Sequence, residues 1–281
     1  MISWRLLPGP EGLVATRHPE EVATLAEAAF FLPHGAYTTL RTYGATGVLL
    51  LDQHMDRLEE SAGLMGCSVQ LDRAGVRRAL GGIVHSQRGE TERENRLRLT
   101  VDCSAHPGEL WLSMEPLPLL APDLYEQGVA VVTQTMQRAN PRAKDNAFLT
   151  TTKAERARIS GRINEVLMVG TEGEVLEGLS SNFFGIRAGT LYTAEEGILP
   201  GLTRSLILEE AAQGGIPVRL ESLQVGALSG LDEAFISSSS RAVLPVVEMD
   251  GQVVGNGQPG SITREISRRY DARVQQEIEW L

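Results

Sequence analysis

The chain has 26 basic residues, of which 24 are arginine and only two, Lys144 and Lys153, are lysine. A guanidinium stays protonated and cannot attack a carbonyl, so amine chemistry in this chain falls to one of those two. Lys144 sits in RANPRAKDNAF, after a strand-like segment and before a helix-like one. An amine at such a junction can point into a cleft. Burial there, or nearby cations such as Arg138 or Arg142, would lower its pKa and make it nucleophilic. Lys153 lies nine residues further on, among polar neighbours in TTTKAERAR. Nine residues at about 100° each is about half a rotation, so in a helical segment the two lysines face opposite ways. The polar context assigns Lys153 to the surface and leaves Lys144 for a site.

Other segments supply complementary groups. Glu177 ends the strand-like EVLEG, just before a Gly-Leu-Ser-Ser turn. A carboxylate so placed can hold a proton on a ring nitrogen. ILPGLTRSLILEE reads as a helix start, whose first amides at Leu202 and Thr203 lack intrahelical partners; with the Thr203 hydroxyl they make an anion site. His54 and Arg57 are three residues apart and share a helix face. Arg57 can grip a phosphate in bidentate fashion or extend to solvent. His54 has no partner at i+4 and reads as a buried, hydrogen-bonded histidine, and no metal-ligand set is read anywhere. The run Ser237–Ser240 offers hydroxyls and turn amides. GxxxxGK[ST], HExxH and GxSxG are absent, which removes support for P-loop nucleotide-dependent transfer, zinc hydrolysis and α/β-hydrolase chemistry. One activated amine, one acid and several anion donors fit a pyridoxal phosphate enzyme. In that reading Lys144 forms the Schiff base, Glu177 faces the pyridine nitrogen and the anion sites hold the phosphate.

The elements that must position these groups follow from composition and periodicity. At 281 residues and 30.5 kDa the chain fits two modest domains or one large one, and 42% hydrophobic with 22% charged residues excludes wholesale disorder. A formal charge of −10 argues against a nucleic-acid partner. Cys67 and Cys103 form neither a CxxC pair nor a disulfide framework. The start, MISWRLLPGPEG, carries no signal-peptide pattern, and no apolar run approaches the roughly 20 residues that span a bilayer, so a soluble cytoplasmic protein without membrane partners is expected. GAYTTLRTY and GVLLL read as a strand hairpin. A helix follows with Asp52 as N-cap and Leu51, Met55, Leu58, Ala62 and Met65 as its apolar stripe. A second helix covers 73–86, capped by Asp72, with Val76, Leu80, Ile83 and Val84 inward. RLRLTVDCS and ELWLSMEPL read as strands. The proline-rich stretch after them is the linker, at 118–125, between an N-terminal domain (1–117) and a C-terminal domain (126–281). The second domain reads as hairpins, a helix near 202–213 and a C-terminal helix over the last twenty residues.

The order and spacing of these pieces resemble the class IV aminotransferases, the fold-type IV pyridoxal phosphate enzymes, from about Gly35 to about Gly251. The family includes branched-chain and D-amino acid aminotransferases and 4-amino-4-deoxychorismate lyase. HMDRL resembles the helix that gives an arginine, here Arg57, to the cofactor phosphate. Lys144 lies 21 residues before Glu165 in NEVLMV, a spacing similar to that between the family's Schiff-base lysine and its "-EAL-" strand. EVLEGLSSNFFGI resembles the "T/SEG-x-x-x-N-x-F" signature, which makes Glu177 the ring-nitrogen partner. LPGLTR resembles the phosphate-binding turn, mapping to Leu202 and Thr203. SSSSRAVLPV resembles the segment that gives a phosphate hydroxyl, Ser239, and a substrate-carboxylate amide, Ser240. Tyr37 takes the place of an aromatic residue lining the substrate side.

The resemblance implies an α+β chain with a smaller N-terminal α/β sandwich and a larger, mixed α/β barrel-like C-terminal domain. It also implies a pyridoxal 5'-phosphate transaminase acting on an amino donor and a 2-keto acid, and a homodimer, since a second subunit completes the family's sites. His34 stands where the family often has an acid. The loop Ser104–Gly108 lacks the clamping arginine of D-amino acid aminotransferases, which leaves Arg41 or Arg98 for the substrate carboxylate. GAYTTLRTYG is also similar to the "F-T-T-x-R" strand of chorismate lyases, so release of pyruvate from an aminodeoxychorismate is the alternative.

Overall fold

Alternating apolar and polar residues in the first half produce strands with one face turned to a core. The computed structural model describes residues 1–9, 12–19, 22–87 and 93–281. In chain order the elements are β1 (Ile2–Gly9), β2 (Gly12–Arg17), α1 (Leu25–Ala28), β3 (Gly35–Arg41), β4 (Gly47–Leu49), α2 (Leu51–Leu64), α3 (Arg73–Ser86), β5 (Asn95–Asp102) and β6 (Leu110–Pro116). They continue with α4 (Pro122–Gln127), β7 (Val129–Thr135), α5 (Ala147–Thr151), α6 (Lys153–Arg156), β8 (Ile163–Val169), β9 (Val175–Gly178), β10 (Asn182–Arg187), β11 (Thr190–Tyr192) and α7 (Leu202–Gln213). The last are β12 (Val218–Arg219), β13 (Glu233–Ser238), β14 (Ala242–Met249), β15 (Gln252–Val253), α8 (Ser261–Glu277) and β16 (Ile278–Trp280).

One unit comprises Met1–Pro118, Ala143–Thr151 and Gln276–Leu281. Its sheet has the order β2-β1-β6-β5-β3, antiparallel throughout. Ala36, Thr38 and Leu40 of β3 lie opposite Val101, Leu99 and Leu97 of β5, and this face packs on α2. The helix buries Leu51, Met55, Leu58 and Ala62, as its spacing predicts, whereas Met65 of the expected stripe is the C-cap and only half-buried. α3 buries Val76, Leu80, Ile83 and Val84, and the Asp72 side chain accepts from the Gly75 amide at 2.9 Å, the expected cap.

Two expectations fail here. Asp52 is not the cap of α2; Leu50 holds that place in the left-handed region at φ 54°. The Leu51 amide instead donates to Glu279 Oε1 at 3.0 Å. GVLLL also does not form a ladder with β3: β4 pairs with β16, so the end of the chain is a strand and not helix. A partner more than 200 residues away leaves no trace in local periodicity.

The other unit comprises Leu119–Arg142 and Thr152–Gln275. Six strands, β9-β10-β13-β14-β7-β8, close into a barrel, and the closing contact pairs Glu177 of β9 with Asn182 of β10. β10–β11 and β14–β15 are hairpins, as read from the sequence. β7 runs parallel to both β8 and β14, so residues 136–162 form a crossover between parallel strands, and Lys144 lies on it. α7 spans the expected residues. The fold is thus the mixed α/β arrangement expected, a sandwich of helices on a sheet and a barrel-like unit. Among the described residues no helix is long and apolar enough to cross a membrane.

Candidate active site

β3 is an edge of the first unit's sheet, and an edge strand presents unpaired backbone groups. The Lys144 segment covers that edge. The Tyr37 amide donates to the Lys144 carbonyl at 2.8 Å and the Asn146 amide to the Gly35 carbonyl at 3.1 Å. The Asn146 side chain accepts from the Gly35 amide and donates to the Pro33 carbonyl. His34 Nε2 meets Asp145 Oδ1 at 2.9 Å, so the histidine that departs from the family pattern engages the residue next to the lysine. These bonds fix the backbone of Lys144, whose half-buried side chain places Nζ 4.9 Å from the centre of the buried Tyr37 ring. Arg98 Cζ lies 4.8 Å from the same ring, and Arg98 Nη1 donates to the Leu25 carbonyl at 2.5 Å. Arg41 pairs with Glu94 and stacks over Tyr43. Lys153, in contrast, is exposed at the start of α6.

Beside its apolar stripe, α2 carries a second buried row, His54, Arg57 and Ser61. The Lys144 amide donates to Ser61 Oγ at 3.1 Å. Arg57 Nη2 donates to Thr38 Oγ1 at 2.8 Å, and Thr38 Oγ1 lies 2.7 Å from His54 Nδ1. Arg57 can only donate, so Thr38 Oγ1 accepts from it, and the hydroxyl keeps both its proton and a second lone pair for His54 Nδ1. Burial, then the charges of Arg57 and Lys144, hold the His54 pKa well below its ordinary 6.5. Burial likewise lowers Arg57 to about 10, which leaves it cationic near neutral pH.

The His54 shift has a sign that can be tested. Above pH 6.5 the site is neutral in folded and unfolded chains. As pH falls below that value the unfolded chain binds a proton that the folded chain refuses, and stability drops until the folded pKa is reached. Relative to a non-titrating His54→Gln variant, the wild type loses up to about 1.4 kcal/mol per pH unit in that window. Urea unfolding from neutral pH into mild acid measures this; parallel curves for the two proteins would disprove it.

In the second unit Glu177 is 2% exposed. Its Oε1 accepts from Arg138 Nε at 2.8 Å and its Oε2 from Asn182 Nδ2 at 3.2 Å. The N-cap of α7 is Gly201, no side chain caps that helix, and Thr203 in its first turn is buried. Leu202 beside it is half-buried. Ser239 and Ser240 form the half-buried turn between β13 and β14. Arg241, at the end of that turn, reaches Glu165 Oε2 at 2.6 Å, and Ser180 and Ser181 bond the same oxygen.

The first unit therefore gathers Tyr37, Arg57, Arg98 and Lys144 around β3 and α2, with Arg41 turned to Glu94. The second gathers Glu177 with the strand next to it, and carries Leu202, Thr203, Ser239 and Ser240 on a helix start and a turn. The sequence reading offered Arg138 only as a cation able to tune a lysine; the structure pairs it with Glu177. It also overlooked Thr38, Ser61, Asn182 and the Glu165–Arg241 pair. The signal for Ser61 was present, since a serine completes the row of His54 and Arg57 at helical spacing.

The model of the amino-transferase class IV family matches residues 35–249. The branched-chain-amino-acid aminotransferase of Pseudomonas aeruginosa is 27% identical over 88% of this chain and 87% of its own length. The D-alanine aminotransferase of Bacillus licheniformis is 27% identical over 83% and 84%. A crystal structure of the branched-chain aminotransferase from the thermophilic archaeon Thermoproteus uzoniensis with norvaline superposes with a TM-score of 0.76 at 24% identity, covering 99% of this chain and 95% of that one.

Proposed function

The chain belongs to the class IV aminotransferase family, and on that premise we propose that it moves an amino group from an amino acid to a 2-keto acid with pyridoxal 5'-phosphate, Lys144 being the working amine. The observation that carries this assignment is the backbone of Lys144, bonded to β3 and α2 and half-buried against Tyr37, while Lys153 is exposed. The residues suit the cofactor. Arg57 Nε and Ser237 Oγ are buried and have no hydrogen-bond partner among the described residues, as donors reserved for an anion would be. Glu177 is a buried carboxylate, the kind of acceptor a ring N–H calls for.

When bound, the cofactor supplies a ring that accepts the electrons left when the substrate Cα loses its proton. Lys144 Nζ would hold the cofactor at its aldehyde carbon, and the same amine would serve as the base that takes the substrate Cα proton. Glu177 holds the proton of the ring nitrogen. Arg57, the amides of Leu202 and Thr203, the Thr203 hydroxyl and Ser239 donate to the phosphate. Tyr37 lines the substrate side, and Ser240 and Arg98 receive the substrate carboxylate. Of the two candidate clamps Arg98 is favoured, because it lies over the Tyr37 ring that also faces Lys144. A cytoplasmic homodimer belongs to the same proposal.

The lyase alternative is not favoured, as the relatives named above are aminotransferases. A half-reaction screen separates the two. With L- or D-amino acids or (R)-amines alone, a transaminase converts its cofactor to the pyridoxamine form, followed by absorbance. Release of pyruvate from an aminodeoxychorismate without an acceptor would identify the lyase, and a protein that responds to no amine would overturn both.

A further inference from the structure

Asn182 is the first residue of β10 and is 6% exposed. Its Nδ2 donates to two acceptors, Glu177 Oε2 at 3.2 Å and the Leu199 carbonyl at 2.9 Å. Leu199 lies two residues before Gly201, the N-cap of α7. The other end of the amide faces the same helix start, since a Cβ on Gly201 would collide with Asn182 Oδ1. The backbone of Asn182 lies opposite both Glu177 and Ser237. One buried amide thus touches the acid, the turn that leads into α7 and the N-cap of that helix.

We propose that Asn182 is a positioning residue that fixes the span between the Glu177 carboxylate and the first turn of α7. This rests on the reading above, in which the acid meets the ring nitrogen of the cofactor and the helix start meets its phosphate. Those two ends of the cofactor are joined covalently and have a set separation. A protein that binds both must present its acceptor and its donors at the matching distance, and a misplacement of about 1 Å costs on the order of 10²-fold where orientation matters. Asn suits the task because its NH2 group has two donors in fixed directions, one for each side of the span. Asp at this position would lack both donors and set a second carboxylate against Glu177; Ser would reach neither partner.

The test compares apo wild type with Asn182→Ser for binding of pyridoxal 5'-phosphate and of inorganic phosphate alone, with thermal unfolding as a check on the fold. The expected result is cofactor affinity weakened by about tenfold or more, with phosphate affinity changed by less than about twofold, because the helix start persists while its distance from Glu177 does not. Unchanged cofactor affinity overturns the proposal. So does an equal loss for phosphate, which would make Asn182 a support of the helix start alone. A Gly201→Ala variant, which pushes on Asn182 from the other side, tests the same span if Asn182→Ser fails to fold. Where both fold, the double variant should lose no more than about twofold beyond the worse single variant, as expected for neighbours acting through one contact, and additive losses overturn the proposal. A wild type that binds phosphate but no pyridoxal 5'-phosphate defeats the functional reading itself, a separate outcome.

Discussion

On the function proposed above, replacing Lys144 with alanine should lower transamination by more than about 10³-fold, because the substitution would remove both the amine proposed to hold the cofactor and the base proposed to move the proton. The fold should survive. Lys144 is attached through its main chain, by its carbonyl to the Tyr37 amide and by its amide to Ser61 Oγ, and neither bond needs the side chain. Borohydride reduction of the native holoenzyme followed by digestion should tag the peptide that contains residue 144, and Lys144→Ala should lose that tag. Lys153→Ala should keep both the tag and the turnover, since Lys153 is exposed on a short helix. A small amine added to Lys144→Ala should restore part of the activity by supplying a base from solution. A tag on the Lys153 peptide, or full turnover in Lys144→Ala, would remove Lys144 from the reaction.

Arg241→Met should destabilise the protein by about 3–5 kcal/mol, the usual cost of leaving one partner of a buried ion pair uncompensated. Glu165 is fully buried, and Arg241 Nη2 lies 2.6 Å from its Oε2. Burial pushes the Glu165 carboxyl up, but the Arg241 charge and the hydrogen bonds from Arg241, Ser180 and Ser181 outweigh it, so its pKa lies below the ordinary 4.5. In the wild type this contributes stability that is present above pH 4.5 and lost as pH falls through the folded value. In Arg241→Met burial dominates and the folded pKa rises, so the deficit is full at neutral pH and shrinks as the carboxyl protonates in acid. Urea unfolding across that range measures the convergence. Adding Glu165→Gln to Arg241→Met should recover much of the loss, because a neutral amide needs no counter-charge. A single variant within about 1 kcal/mol of wild type would show that the serines alone satisfy Glu165. The same guanidinium bonds the Asn164 carbonyl and Ser180 Oγ, so its loss should also loosen the turn carrying Ser239 and Ser240.

Helices were the most legible part of this chain. The limits of α7, the buried stripes of α2 and α3 and the Asp72 cap all follow from residues within one or two turns of each other, which is the range over which helical geometry operates. Many strands were legible for the same reason, since alternation is local, but β1, β2, β12 and β16 were not read as strands. Strand partners were not legible. The apolar run at β4 looks like half of a hairpin with β3, and only its pairing with β16 shows otherwise. The capping of α2 failed with it, because Glu279 reaches the Leu51 amide from the end of the chain.

By itself the sequence determined which chemistry the protein is equipped for. A chain with two lysines leaves few choices for a nucleophilic amine, and Glu177, the turn before Leu202 and the arginine of HMDRL carry their chemical types wherever they lie. The tertiary structure decided how those groups are held. It closed the barrel through Glu177 and Asn182, set Arg138 against Glu177, laid the Lys144 segment along the edge of β3 and buried Glu165 beneath Arg241. Each of these joins residues distant in the chain to satisfy hydrogen bonds and charges that burial has cut off from water. That requirement arises only once the chain has folded, so no local pattern of residues records it.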